Sequence, residues 1–374
     1  MSMNFSDEPK HSEQLVVRDE KPYNAEPDLE KLIQHSLTPE ELVYCRNYCP
    51  IKSLSEDRTI KINGLVQNPL ELSVKDLKQQ FEHHHTVAAL QCAGNRRSLM
   101  ARKKGKDTEG IKWEEATICN VRWGGASIRD VLRHAGVKLD NKASTSQLYL
   151  SFASHVTACQ DDDWFGASIP LGKALDQDGG VLLAYEMNDK PLSPDHGYPL
   201  RIVVPGYSGV RWVKWVDEIT VSERESENFY QQKDYKILPT QVAKHDQADR
   251  EDWWAKVPPL QANPLNSAIA IARIVAPGVL YVKGYAVPGE TGQVSRVYVS
   301  VDEGRSWQLA RVIYQEGRWS WTLWEVTVAL TYGYKDHGKV WSRAIDGSGE
   351  VQCLDVDWNL RGVGFTAVGE KTFQ

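Results

Sequence analysis

Val279-Leu280-Tyr281-Val282-Lys283-Gly284-Tyr285-Ala286-Val287 and, beyond a Pro-Gly turn, Val294-Ser295-Arg296-Val297-Tyr298-Val299-Ser300-Val301 alternate apolar and polar side chains with the period of a half-buried strand. The neighbouring stretches Ile269–Val275, Trp307–Tyr314, Trp319–Val328 and Lys339–Ile345 repeat the pattern. Asp302-Glu303-Gly304 and Asp346-Gly347-Ser348-Gly349 supply turns between them. Roughly six or seven short strands in about a hundred residues predict an all-β, immunoglobulin-like sandwich over residues 265–374. No Cys–Trp–Cys spacing marks it as an antibody domain.

Upstream the pattern changes. Lys236–Ala262, rich in charge, Trp and Pro, reads as a linker. Residues 29–250 read as a mixed α/β domain, so the chain as a whole is α+β. Within it, Arg58–Val66, Thr86–Gln91, Leu148–Phe152, Val181–Tyr185 and Arg201–Val204 are strand-like. Ser73–Phe81, with Ser73 as cap, and Ser127–Ala135 are helical. Thr38-Pro39-Glu40-Glu41 predicts a helix start with proline in the first turn. Residues 1–28 read as a polar N-terminal arm.

The 374 residues carry 25% charged side chains and a net charge of −6, which excludes a general nucleic-acid coat and leaves any anion site to a local cluster. No apolar run approaches the ~18 residues of a spanning helix, so no membrane partner is expected. Six cysteines are too few for a disulfide scaffold and suit a reducing compartment. Met1–Glu20 lacks an apolar signal core, and a cytoplasmic location is the expectation.

Chemistry concentrates at Gln91-Cys92-Ala93-Gly94-Asn95-Arg96-Arg97. A cysteine at the end of a buried strand meets a glycine that admits close approach, and six cations lie between residues 96 and 106. One reading is a thiolate whose pKa falls in an electropositive pocket and which binds a soft metal. The other is a buried structural cysteine before a solvated basic loop. Cys45 and Cys49 lack the second ligand pair of a zinc site. His83-His84-His85 is more simply a solvated loop before a strand than a metal site. Asp195–Arg201 carries a His and an Arg able to grip an anion. Walker A, GxGxxG, GxSxG and HExxH patterns are absent.

Eight segments together resemble the eukaryotic sulfite oxidase family, most of all its haem-free plant-type members. They are Tyr44–Asn47, Leu90–Arg97, Trp123–Gly125, Leu183–Asn188, Asp195–Arg201, Pro205-Gly206 with Arg211–Trp215, Asp234–Lys236 and Trp358–Gly362. The resemblance implies a domain holding molybdenum–molybdopterin, with no haem in this chain, followed by a dimerisation domain. It makes Cys92 the protein ligand of the metal. It sets the pterin and its phosphate against Tyr44, Cys45, Arg46, Asn47 and Tyr48, against His196 and Arg201, and against Trp212, Val213 and Lys214. A further pterin-contacting loop corresponds to Ala153, Ser154 and His155. Tyr48 replaces the family's usual histidine, and Lys106 is the candidate for a lysine the family carries near Trp113.

Eukaryotic nitrate reductases share this domain. They carry asparagine where this chain has Tyr235 and methionine where it has Arg361, so the resemblance favours sulfite as substrate. Arg46, Arg97 and Arg361 would converge on the dianion, with Trp113 as a wall. Arginine suits an oxyanion by its fork of donors and permanent charge. The implied activity is oxidation of sulfite to sulfate, with electrons passed to oxygen or a separate acceptor. The alternatives are a nitrate reductase-like domain and a non-enzymatic carrier or scaffold of the cofactor. Trp307, Trp319, Trp321, Trp324 and Trp341 predict an aromatic stripe that fills the sandwich core or faces the second subunit of a homodimer.

Overall fold

Strand His83–Gln91 lies at one edge of a five-stranded sheet and runs directly into Cys92. It pairs antiparallel with Ile118–Ser127, which pairs with Leu182–Met187; the latter also carries Lys190–Pro191 and Arg201–Val203. This is a computed structural model describing residues 3–137, 147–330 and 337–374. A second sheet runs in the order Leu70–Ser73, Thr59–Gly64, Glu218–Ser222, Tyr149–Ser154, Phe165–Pro170. Ile62, Phe152 and Ile219 from this sheet share one core with Ala88, Leu90, Val121 and Leu183 from the first. Helix Val74–Gln80 begins with a capping box: Ser73 Oγ accepts from Asp76 N at 3.1 Å, and Ser73 N donates to the Asp76 carboxylate at 2.8 Å.

The second domain consists of two antiparallel four-stranded sheets. One contains Asn266–Ala276, Val279–Val287, Thr322–Ala329 and Arg311–Tyr314. The other contains Gln308–Leu309, Val294–Ser300, Gly338–Asp346 and Gly369–Phe373. Ile269, Leu280 and Val282 from the first interlock with Val297, Val299 and Val340 from the second. Trp324 lies among them because residue 284 is glycine. A Cβ there would come within 2.6 Å of the indole and 2.1 Å of Ala268 O. A register shift between Val294 and Arg296 turns both Val294 and Val297 inward, which strict alternation does not predict.

Four expectations change. Residues 1–28 are not a free arm: Leu15–Glu20 and Tyr23–Pro27 form a hairpin, and Ala25 exchanges main-chain bonds with Cys45 at 3.0 and 2.9 Å. The stretch 236–262 is not a solvated linker. It contains helices His245–Arg250 and Trp253–Lys256, and Leu238, Val242 and Trp254 pack on Met100, Trp358 and Phe365. Its apolar residues were spaced too irregularly to reveal a buried face. Only a short 3₁₀ turn, Glu40–Leu42, follows Pro39, and Thr38 Oγ1 instead accepts from Asn120 N at 3.0 Å.

The tryptophans form no single stripe. Trp319 and Trp321 precede the strand Thr322–Ala329 and seal the seam between domains. Trp319 O accepts from Ala89 N at 2.9 Å, and Trp321 Nε1 donates to Ser36 O at 3.0 Å. Among the described residues no helix is long and apolar enough to cross a membrane.

Candidate active site

Cys92 sits in the wall of a cleft enclosing about 760 Å³, including the part open to solvent. Three further segments build the cleft: Tyr44–Cys49, the Asp195–Arg201 loop, and Trp212 to Trp215; Tyr235 closes it. Cys92 N donates to Thr117 O at 3.0 Å, so the end of the strand holds the thiol in place. Burial pushes the Cys92 thiol up; Arg46, Arg97 and the Gly94 amide pull the other way. The expected fall in its pKa is therefore not found in the protein alone, because desolvation exceeds the two guanidinium fields. A bound metal would add the missing positive charge and hold the thiolate.

The two arginines reach Cys92 by different routes. Arg46 stacks over the Tyr48 ring, 3.6 Å from its centroid, and donates to Asn24 Oδ1 at 3.2 Å. Burial opposes its charge, but Tyr48, Tyr235, Cys92 and Asp234 together raise its pKa further. Arg97 folds back over Gly94, where a Cβ would lie 2.7 Å from its guanidinium. It donates to Arg361 O at 2.8 Å and Ile111 O at 2.7 Å. The rest of the basic run takes no part. Arg102 pairs with Glu114 at 2.9 Å, Lys103 with Glu370 at 3.5 Å and Lys104 with Asp355 at 2.6 Å. Lys106 lies 3.4 Å over the Trp358 ring. The electropositive character read from six clustered cations thus comes from Arg97 and the distant Arg46.

A second cationic corner faces the same space. Arg201 donates to His196 O at 2.9 Å and Trp212 O at 3.2 Å. Its Nε is buried and has no hydrogen-bond partner among the described residues. Lys214 Nζ donates to Asp195 O at 2.8 Å and also bonds the Asn47 side chain. Burial lowers the pKa of Lys214 to about 8 and that of Arg201 to about 10. Burial, followed by Lys214 and Arg201, holds His196 at about 3, so its ring stays neutral. Two under-neutralised cations and an orphaned donor suit an anionic group such as a phosphate. Trp212, edge-on to Trp123 at 5.7 Å between ring centres, walls the cleft beside them. These residues fit the pterin phosphate that the resemblance implies.

Arg361 does not line the cleft among the described residues. Its guanidinium is ion-paired with Asp234 and lies 3.4 Å from Glu109. Tyr48 OH donates to Asp234 Oδ2 at 2.6 Å and lies 2.6 Å from Tyr235 OH. Arg361 therefore connects to the cleft through Asp234 and Tyr48, and to Arg97 through its own main-chain oxygen. Asp234, quoted only as part of a motif, is the hub of this network. No local signal distinguishes it, since its partners lie far away in sequence.

Other expected residues fall elsewhere. Trp113 is wholly buried in the first domain's core and its Nε1 has no partner among the described residues. The side chains of Cys45 and Val213 pack in core clusters behind the cleft. Ala153, Ser154 and His155 stand apart: His155 bonds Asp217 at 2.9 Å and stacks on Trp164 at 5.2 Å, while Phe165, opposite Ser154, lines the cleft. His83, His84 and His85 belong to the strand rather than to a loop before it, and His83 bonds Glu186 at 2.9 Å. Among the described residues no group of three or more His, Cys, Asp or Glu could hold a metal. A metal at Cys92 would take its other ligands from its own cofactor.

A two-domain frame with one buried thiol between arginines, facing a cationic corner, is that of a molybdopterin oxidoreductase. Residues 48–230 match the oxidoreductase molybdopterin binding domain, and residues 262–367 match the Mo-co oxidoreductase dimerisation domain. Sulfite oxidase of Gallus gallus is 39% identical over 377 residues, covering 97% of this chain and 78% of that protein. Sulfite oxidase of Arabidopsis thaliana is 37% identical, covering 96% of this chain and 93% of that protein. A nitrate reductase of Phaseolus vulgaris is 35% identical over 91% of this chain but only 40% of its own length. The sulfane dehydrogenase SoxCD of Paracoccus pantotrophus superposes with a TM-score of 0.75 and 25% identity, covering 96% of this chain and 86% of that one. The chain belongs to the sulfite oxidase family.

Proposed function

We propose that this protein oxidises sulfite to sulfate at a molybdenum–pyranopterin cofactor held in the cleft. The observation that carries the reading is the setting of Cys92: a buried thiol at the cleft with Arg46 and Arg97 as its cationic neighbours. Such a cofactor supplies two-electron redox and oxygen-atom transfer chemistry when bound. The chain supplies the rest. Cys92 provides a soft ligand. Lys214, Arg201 and neutral His196 hold the phosphate end. Arg46, on the cleft wall, draws a dianion toward Cys92 and orients its oxygens; Arg97 adds its field from outside the lining, and the Tyr235 hydroxyl is committed to Tyr48. Arg361, through Asp234, keeps that side of the site charged and ordered.

Tyr235 and Arg361 favour sulfite over nitrate, because these are the two positions at which the resemblance separates the substrates. A mere cofactor carrier would need no cationic approach to Cys92. Electrons leave to oxygen or to a separate acceptor. The sandwich domain is the proposed homodimer contact, supported by its match to a dimerisation domain.

Metal analysis of the purified protein, combined with sulfite-dependent turnover using oxygen or cytochrome c, tests the reading. Stoichiometric molybdenum with turnover on one of the two acceptors is expected. A molybdenum-loaded protein inert to sulfite on both would overturn it.

A further inference from the structure

Cys49 and Cys159 are two buried thiols that the proposed reaction does not use. Cys49 lines the cleft beside Tyr48, and both cysteines belong to one buried cluster with Tyr48 and Tyr230. Their segments run side by side. Gln160 N donates to Tyr48 O at 3.0 Å, a main-chain contact that sets residue 159 against residue 49. Cys159 N donates to Asp162 O at 2.8 Å and closes the turn that presents the thiol. Each thiol is the strongest influence on the other, holding Cys49 below the usual thiol range and pushing Cys159 up. Lys214 and Arg46 add positive field at Cys49. None of the other buried cysteines has a thiol partner of this kind: burial alone is the main influence on Cys45, Cys92 and Cys119.

We propose that Cys49 and Cys159 form a redox-reactive dithiol opening on the cleft, a modification site whose oxidant is a hydroperoxide. The chemistry needs a reactive thiol with an adjacent resolving thiol, and this pair supplies both. Cys49 sulfur attacks one peroxide oxygen; the S–O bond forms, the O–O bond breaks, and the leaving oxygen takes the proton released by Cys49 and departs as water from hydrogen peroxide or as an alcohol from an organic hydroperoxide. Cys159 sulfur then attacks the sulfenic sulfur of Cys49; the S–S bond forms, the S–O bond breaks, and water leaves with the Cys159 proton. The two thiols lose two electrons and the peroxide gains them. The resulting disulfide ties the 159–162 turn to the cleft wall, so the oxidation state is registered where the cofactor is proposed to bind. The dithiol itself does not depend on what occupies the cleft.

Peroxide titration of the protein as purified, followed by denaturing alkylation and peptide mass spectrometry, tests the proposal. A linked Cys49–Cys159 peptide is expected, reversible with dithiothreitol. The exposed Cys353 serves as internal clock, and the pair is expected to oxidise on the order of tenfold faster than it. In Cys159→Ser a dimedone-type reagent should trap sulfenic acid on Cys49. Complete oxidation of Cys353 while Cys49 and Cys159 both remain alkylatable would overturn the proposal. So would peroxide consumption at Cys49 in the unaltered protein without a linked peptide. If the serine variant fails to fold, the linked peptide in the unaltered protein decides alone.

Discussion

Arg96 donates from Nη1 to Asn266 Oδ1 at 2.6 Å, joining the Cys92 loop to the first strand of the second domain. The same side chain reaches Ala367 O at 2.7 Å and Val368 O at 2.9 Å. Its neighbours repeat the connection. Asn95 Nδ2 donates to Tyr285 OH at 2.8 Å, and Gly364 N donates to Ala93 O at 2.9 Å. Arg97 donates to Arg361 O at 2.8 Å. Arg96 itself adopts a left-handed backbone, φ 67°, which costs energy for a non-glycine residue and is held by these contacts. The sandwich domain is thus a structural wall of the Cys92 loop.

Arg96→Met should therefore destabilise the whole chain. It removes the Arg96 donors from Asn266 Oδ1, Ala367 O and Val368 O, of which Ala367 O keeps Gln352 Nε2, and removes the cation beside Glu115, a loss of roughly 3–5 kcal/mol for one partner of a buried charged network. Arg96→Lys should recover only part, since one ammonium cannot match the guanidinium's planar reach. Urea midpoints measure both. A change below about 1 kcal/mol in the Met variant would refute the clamp.

Cys92→Ser should abolish sulfite turnover while leaving the unfolding midpoint within about 1 kcal/mol of the parent. The hydroxyl fits the thiol's space but is a hard, poorly ionised ligand. Molybdenum content and turnover are read together, and parental turnover in the Ser variant would reject Cys92 as the metal ligand.

Arg361→Met should raise KM for sulfite about tenfold, through the field at the site rather than a direct contact, since Arg361 pairs with Asp234 outside the cleft lining. Part of the effect comes from Asp234, left as an unpaired carboxylate on the site's flank. Adding Asp234→Asn removes that charge, so the double variant should bind sulfite better than the single one. Steady-state kinetics on the pair decide. An unchanged KM in the single variant would detach Arg361 from substrate binding.

Inorganic phosphate should stabilise the cofactor-free protein, and the effect should fade as pH rises through about 8. Lys214 is depressed from 10.5, chiefly by burial, so between about 8 and 10.5 the unfolded chain holds a proton that the folded one has lost. Stability of the cofactor-free form from this group therefore rises with pH across that window. An anion beside Lys214 and Arg201 favours the protonated state and reverses the trend. Thermal unfolding with and without phosphate, below and above about pH 8, reads it; an increment independent of pH would exclude Lys214 from the anion site.

Light scattering should give about twice the 42.2 kDa chain mass at micromolar concentration. Leu309 and Val312, 56% and 41% exposed on neighbouring sandwich segments, are among the exposed apolar residues of that domain that a second copy would cover. Glutamate at both should lower the mass toward a single chain. A parent mass near 42 kDa would remove the dimer.

The sequence by itself determined much of the frame and the family. Period-two alternation revealed the sandwich strands because one face of each must be buried. Ser73 announced its helix because capping is local, bonding only to Asp76. Cys92, Arg97 and Arg201 were legible as residue types because oxyanions and soft metals demand those side chains; Arg46 and Lys214 were reached only through the family resemblance.

Tertiary structure alone decided what each cation does. Lys103 and Lys104 looked as suited to an anion site as Arg97, yet find carboxylates supplied by Glu370 and Asp355. Arg361 faces Asp234, and Arg96 serves the second domain rather than the cleft. Trp319 and Trp321 close a seam instead of facing a partner. Each outcome depends on a partner that folding brings from far along the chain. Spacing along one strand or helix records local neighbours only, while charge pairing and burial are set by whatever the other domain places opposite.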